Sequence, residues 1–179
     1  MFERRGLLAG LMLVAGLTAA AVVPAEAHGP SRQKVSGTAV LAAAPDDVFA
    51  VVGNFADMSW YPGVTATEVA ADGKTRKVTF EGGVTVDEEL AKQDAAKRVI
   101  SFRRTADTVE LIPVTNFSNQ ISVADEAGKA KVTWTAAFYR GYPNNDPPAG
   151  MDDAAAKAAG EAFIAKGLEA LTARFGAGG

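Results

Sequence analysis

Three polar side chains stand where strand alternation calls for apolar ones. Val84, Val86, Glu88 and Leu90 share one face of a predicted strand, with Thr85, Asp87 and Glu89 on the other. By the same parity Arg104 follows Ile100 and Phe102, and Asn119 falls between Phe117 and Ile121. All three are expected to point inward. A buried charge without a partner is costly, so Glu88 and Arg104 need partners. A turn centred near Ala95 sets Glu88 opposite Phe102 and diagonal to Arg104, within reach of a long side chain. Two readings follow: a polar end to an otherwise apolar pocket, or an ion pair that braces the mouth of the sheet.

Other chemistry is thin. The 179 residues contain no Cys and one His, which excludes disulfides, thiol nucleophiles, Cys-ligated metals and any multi-His cage. There is no G-x-S-x-G, phosphate-binding or dinucleotide-binding loop, and no Ser–His or Cys–His pair. Glu88, with Arg104 or a Tyr, is the one candidate acid or base. Catalytic residues, metal and cofactor are therefore left unassigned. Asp87-Glu88-Glu89 makes a poor calcium site because alternation turns Glu88 away from its neighbours. Asn144-Asn145-Asp146 reads as a turn, and the Asn116-Phe117-Ser118 sequon as a chance match. A net charge of -3 and a pI near 5.2 argue against nucleic acid.

The elements that must position these residues begin after a leader. Arg4 and Arg5 precede an apolar run from Leu7 to Val23, then Ala25-Glu26-Ala27 offers small residues for cleavage after Ala27. This reads as an export signal over 1–27, with an uncleaved anchor helix as the alternative. The expectation is a periplasmic protein with no stable membrane insertion after cleavage. His28 would become the new terminus; its amine and imidazole form only a bidentate copper chelate, so 28–32 reads as a loose leader. One domain is expected over 33–179.

Gln33 to Leu41 is a first strand. Pro45 opens a helix, with Asp46 and Asp47 at its dipole-favoured start and Val48, Val51, Val52 and Phe55 at helical spacing. A second helical turn over 56–61 ends at Pro62-Gly63. The period then changes to 2, giving strands at 64–70, 76–80, 84–90, 98–104, 117–123 and 131–139. A long helix runs from Asp152 or Asp153 to Phe175, with Phe163, Gly167, Leu168, Leu171 and Phe175 as its apolar stripe. The fold class is α+β in the helix-grip arrangement. A curved antiparallel sheet of about six to seven strands wraps a long C-terminal helix, with two short helices after the first strand.

Such a sheet diverges from its helix and leaves a gap. Phe80, Val86, Phe102, Phe117, Trp134 and Phe138 face it from the strands, with Phe163 on the helix; Glu88, Arg104 and Asn119 supply its polar groups. The alternative is that the apolar members are packed core. Trp60 and Tyr61, after the first helix, sit at an entrance and read either as a lid or docking patch, or as the plug that closes the core.

Several short motifs occur in a telling order: His28-Gly29-Pro30 with Gln33-Lys34-Val35, Trp60-Tyr61-Pro62 with Val64, Gly82-Gly83, and Pro113-Val114. Trp134-Thr135, Phe138-Tyr139-Arg140-Gly141 and Pro147-Pro148 complete the series. With these, the mature chain resembles the START/polyketide-cyclase (SRPBCC) superfamily, and within it the exported MxaD-type proteins of bacterial methanol oxidation. The resemblance implies an accessory role beside methanol dehydrogenase and its cytochrome c electron acceptor. The second reading is a periplasmic carrier for a small hydrophobic ligand, with cyclase or dehydratase activity behind it.

Overall fold

The computed structural model describes residues 29–179. The expected export signal, its expected cleavage point and His28 lie outside the described residues. Seven strands and two α-helices follow in the order β1 (Gln33–Leu41), α1 (Pro45–Val52), β2 (Val64–Val69), β3 (Thr75–Phe80), β4 (Thr85–Asp94), β5 (Val99–Arg104), β6 (Val114–Glu126), β7 (Lys129–Arg140) and α2 (Asp153–Phe175). The strands form one antiparallel sheet ordered β1-β7-β6-β5-β4-β3-β2. Strands β2 to β7 are therefore a continuous meander, and β1 is added at the β7 edge.

Local chemistry sets the corners. The β6–β7 hairpin turns on Ala127-Gly128, both at positive φ (55° and 82°), while Asp125 Oδ1 accepts from Gly128 N at 2.8 Å. Two left-handed central residues match the twist of the strands they join. Between β2 and β3, Asp72 Oδ1 accepts from Lys74 N at 2.8 Å. Helix α1 begins with Pro45 and carries Asp46 and Asp47 in its first turn. Helix α2 is capped by Asp152, whose side chain accepts from Ala155 N at 2.7 Å.

The expected second helix over 56–61 does not form. The chain instead makes successive turns, with Asp57 N donating to Asn54 O at 3.2 Å and Tyr61 N to Met58 O at 3.0 Å. Asn54 and Asp57 spend their side chains on the backbone of Ala56 and Ser59, which favours turns over helix. Strands β4, β6 and β7 also run further than alternation alone marked, because ladder pairing continues into polar stretches such as Lys92–Asp94.

Helix α2 lies against β1 and β7 through Ala156, Gly160, Ile164, Gly167, Leu168 and Leu171. Leu168, Leu171 and Gly167 hold their expected places, but Ile164 takes the buried centre, and Phe163 and Phe175 are only half-buried. Gly167 makes the close approach possible. A Cβ there would sit 2.3 Å from Cζ3 of Trp134, far inside van der Waals contact. The core fills the space between the inner sheet face, α1 and α2, with Trp134, Phe117, Phe138, Ile121 and Leu171 fully enclosed.

Candidate functional site

One rung of the inner sheet face carries three charges in a row. Arg76 on β3 pairs with Glu88 on β4, and Glu88 pairs with Arg104 on β5. The three are 5%, 3% and 7% exposed, so the inward parity expected for Glu88 and Arg104 is what the strands adopt. The register differs from expectation: Glu88 faces Arg104 directly, and Phe102 faces Leu90. The β4–β5 connection occupies Ala95 to Arg98, with Arg98 at φ 49°, and a bulge between Leu90 and Lys92 shifts the ladder. A bulge adds a residue to one strand and so displaces every pair beyond it.

Glu88 is bonded to the other arginine. Arg76 Nε donates to Glu88 Oε2 at 2.8 Å and Nη2 approaches the same oxygen at 2.6 Å. Arg76 Nη1 also donates to the Phe55 carbonyl at 3.0 Å, and the guanidinium lies over the rings of Phe55 and Phe102 at 4.4 and 4.7 Å. Sequence reasoning missed Arg76, although it shares the parity of Val78 and Phe80 on the same strand. That parity was the available signal.

Arg104 is in a different condition. Its Nε and Nη1 are buried and have no hydrogen-bond partner, and its guanidinium rests 4.7 Å from the Phe117 ring centroid. Burial pushes the Arg104 pKa below the ordinary arginine value, and the negative charge of Glu88 acts in the opposite direction. Asn119 is half satisfied: Oδ1 accepts from Trp134 Nε1 at 2.9 Å, and Nδ2 has no partner.

The aromatic residues gather into one cluster. Trp60 meets Trp134 at 5.7 Å, Tyr61 stacks on Phe163 at 4.6 Å, and Phe117 touches Phe163 edge-on at 5.4 Å and Phe138 at 5.8 Å. Phe80 joins through Tyr61 at 6.2 Å. Val86 lies opposite Val78, and Phe102 belongs to the Arg76 side. Tyr61 donates its hydroxyl to the Phe163 carbonyl at 3.1 Å, and burial pushes its phenol pKa well up.

Beside this cluster, against the middle of α2, a cleft of about 420 Å³ opens. Tyr61, Phe80, Leu111, Ile112, Pro113 and Phe163 line it, with Glu81 and Lys166 also on its wall. Volumes of this size are typical of small-molecule sites.

The sequence matches the family of polyketide cyclases/dehydrases and lipid-transport proteins over residues 32–176. The chain belongs to that family. Its fold is shared with solved structures at low sequence identity. The protein XoxI from Bacillus cereus is 21% identical with a TM-score of 0.66, over 79% of this chain and 94% of that one. The ZhuI aromatase/cyclase from Streptomyces sp. R1128 is 20% identical with a TM-score of 0.61, over 80% and 93%. A START superfamily protein from Mycobacterium smegmatis is 14% identical with a TM-score of 0.60, over 79% and 96%. No curated protein matches the chain.

Membership of this family fits ligand-binding or cyclase-type roles. Of the residues expected around the gap, Phe80 and Phe163 border the cleft; Trp60, Phe117, Trp134 and Phe138 stand behind it, packed on one another. Glu88, Arg104 and Asn119 lie deeper on the sheet. The cleft's remaining wall was not anticipated. Leu111-Ile112-Pro113 is an apolar triplet in the β5–β6 connection, and Ala159, Ala162, Phe163 and Lys166 recur at helical spacing on α2. Both patterns are legible in the sequence. They were passed over because one lies in a loop and the other is written mostly in alanine.

Proposed function

We propose that this protein binds a small hydrophobic molecule in the cleft between α2, the β5–β6 connection and the Tyr61 turn. The observation that carries the reading is the cleft itself: about 420 Å³, walled by Tyr61, Phe80, Leu111, Ile112 and Phe163. Apolar walls with a few polar groups at one side are what such ligands require. Binding is favoured over turnover by the state of the candidate acids and bases. Glu88 is held by Arg76, and the Tyr61 hydroxyl is spent on the Phe163 carbonyl with its phenol pKa pushed up. A group so engaged is poorly placed to move a proton.

A second reading sets the same protein in the periplasm as an accessory of methanol oxidation, beside methanol dehydrogenase and its cytochrome c. What supports it is the motif series from Trp60-Tyr61-Pro62 to Pro147-Pro148 behind an export-signal pattern. Native mass spectrometry of the protein from its own periplasm tests both. The binding reading expects a small-molecule adduct that Ala162→Trp, which fills the cleft, removes without unfolding the chain. Adduct-free wild type that also ignores both neutral and acidic naphthalene-type probes would reject it. The accessory reading expects the dehydrogenase or cytochrome to copurify, and the signal to have been cut after Ala27.

A further inference from the structure

One rung of the inner sheet face carries two positive charges and one negative. Two arginines flank one glutamate on the Arg76–Glu88–Arg104 rung, and Glu88 gives its close contacts to Arg76. Four buried side-chain polar atoms lack a partner among the described residues, and three are Arg104 Nε, Arg104 Nη1 and Asn119 Nδ2. All three are donors. Asn119 lies opposite Phe102, two residues before Arg104 on β5, so the two polar side chains are diagonal neighbours on one face. Such neighbours stand about 7–8 Å apart at Cα, which long side chains span. The charges of Glu88 and Asp107 act on Arg104, but neither gives its Nε or Nη1 an acceptor, and buried cationic donors left so call for an anionic one.

The route to that acceptor site runs through the cleft wall. Arg104 lies on the face of Phe117, Phe117 meets the edge of Phe163, and Phe163 stacks on Tyr61; the last two rings border the cleft. Phe163 is the half-buried member of this chain of rings, and so the one with room to turn. An apolar body in the cleft would thus reach toward Arg104 past two rings, Phe163 at the wall and Phe117 behind it. A rung with one net positive charge and three unpartnered donor nitrogens suits a carboxylate. A phosphate dianion would leave charge uncompensated.

We infer that the ligand of this cleft is an amphipathic monocarboxylate, with its apolar body against Tyr61, Leu111 and Phe163 and its carboxylate on Arg104 and Asn119. The inference rests on the hydrophobic-ligand reading above. It is tested with two probes of one shape, 2-naphthoate and 2-naphthylmethanol, titrated calorimetrically into the intact protein. Wild type should bind the carboxylate at least tenfold more tightly than the alcohol, the scale of one charge-assisted hydrogen-bonded contact. Arg104→Met should erase that preference by weakening naphthoate tenfold or more, with the alcohol within twofold of wild type. Lys166→Met, at the cleft wall, should keep it.

Equal affinities in wild type overturn the inference, as does a preference that survives Arg104→Met or disappears in Lys166→Met. Should Arg104→Met fail to fold, the Arg104 Nε–H resonance of wild type decides. Naphthoate must shift it and the alcohol must not; the opposite pattern, or no shift, overturns the inference. Alcohol binding without naphthoate binding sinks the carboxylate alone and leaves the hydrophobic-ligand reading standing. Binding of neither sinks both.

Discussion

Two arginines reach the same sheet interior and meet opposite environments. Arg76 arrives where the turn after α1 brings the Phe55 carbonyl over β3, and its donors find that oxygen and the Glu88 carboxylate. Arg104, one strand beyond Glu88, finds an aromatic face and no acceptor for Nε or Nη1. The burial is alike, at 5% and 7% exposure, so burial does not separate them; the supply of acceptors does. A satisfied buried pair belongs to the fold. An unsatisfied buried cation is a cost that the fold carries, and such costs concentrate at working sites.

The comparison is broken most directly at Arg76. Arg76→Met leaves the Glu88 carboxylate buried beside a lost partner and also releases the Phe55 carbonyl. It should cost about 3–5 kcal/mol in urea unfolding, the usual range for breaking one side of a buried pair. Replacing both, as Arg76→Met with Glu88→Leu, should recover most of that. A single-mutant loss below about 1 kcal/mol would mean that the pair is wetter than its burial indicates.

How much of this could be read in advance depended on which interaction fixed each feature. Strand alternation is a property of adjacent residues, so Val86, Glu88, Phe102, Arg104 and Asn119 were legible as inward-facing. Partnership is a property of register. The bulge between Leu90 and Lys92 and the left-handed Arg98 moved Glu88 into line with Arg104, and no local pattern announces either. The true partner, Arg76, obeys the same alternation rule but stands at the start of the strand expected over 76–80, where parity has least support. The helix expected over 56–61 failed because Asn54 and Asp57 bond their own backbone, a competition that apolar spacing does not register. The cleft depends on where a loop and the middle of a helix meet in space. Only its individual walls were in the sequence.

The second test sharpens the contrast from the other side. Arg104→Met removes a buried charge with unpaired donors and keeps a similar apolar stem. The cation–π contact with Phe117, worth about 0.5–2 kcal/mol, is lost, and the desolvation cost is relieved in return. Stability should stay within about 1 kcal/mol of wild type, or rise. A loss like that of Arg76→Met would show that Arg104 braces the sheet. Its free donors would then have no claim to a ligand.

The smallest expected effect comes from an ion pair that has good geometry and no burial. Arg98 Nε donates to Asp46 Oδ1 at 2.5 Å, tying the end of the β4–β5 turn to the first turn of α1, but the Asp46 side chain is 81% exposed. The hydrogen bond from Arg98, then its charge, holds the Asp46 carboxyl below its ordinary value of 3.8. A lowered folded-state pKa stabilises above the unfolded value, and that contribution is lost as pH falls through the folded one. Asp46→Asn should therefore be slightly less stable than wild type at neutral pH, and the two melting temperatures should converge as pH drops below 3.8. Salt should shrink the neutral-pH difference as well, since water and ions screen an exposed pair. Arg76→Met should keep its deficit in the same salt titration, because its partner Glu88 is only 3% exposed. If the two deficits fell together with salt, geometry rather than burial would be ranking these pairs. The contrast between Arg76 and Arg104 would then lose its physical ground.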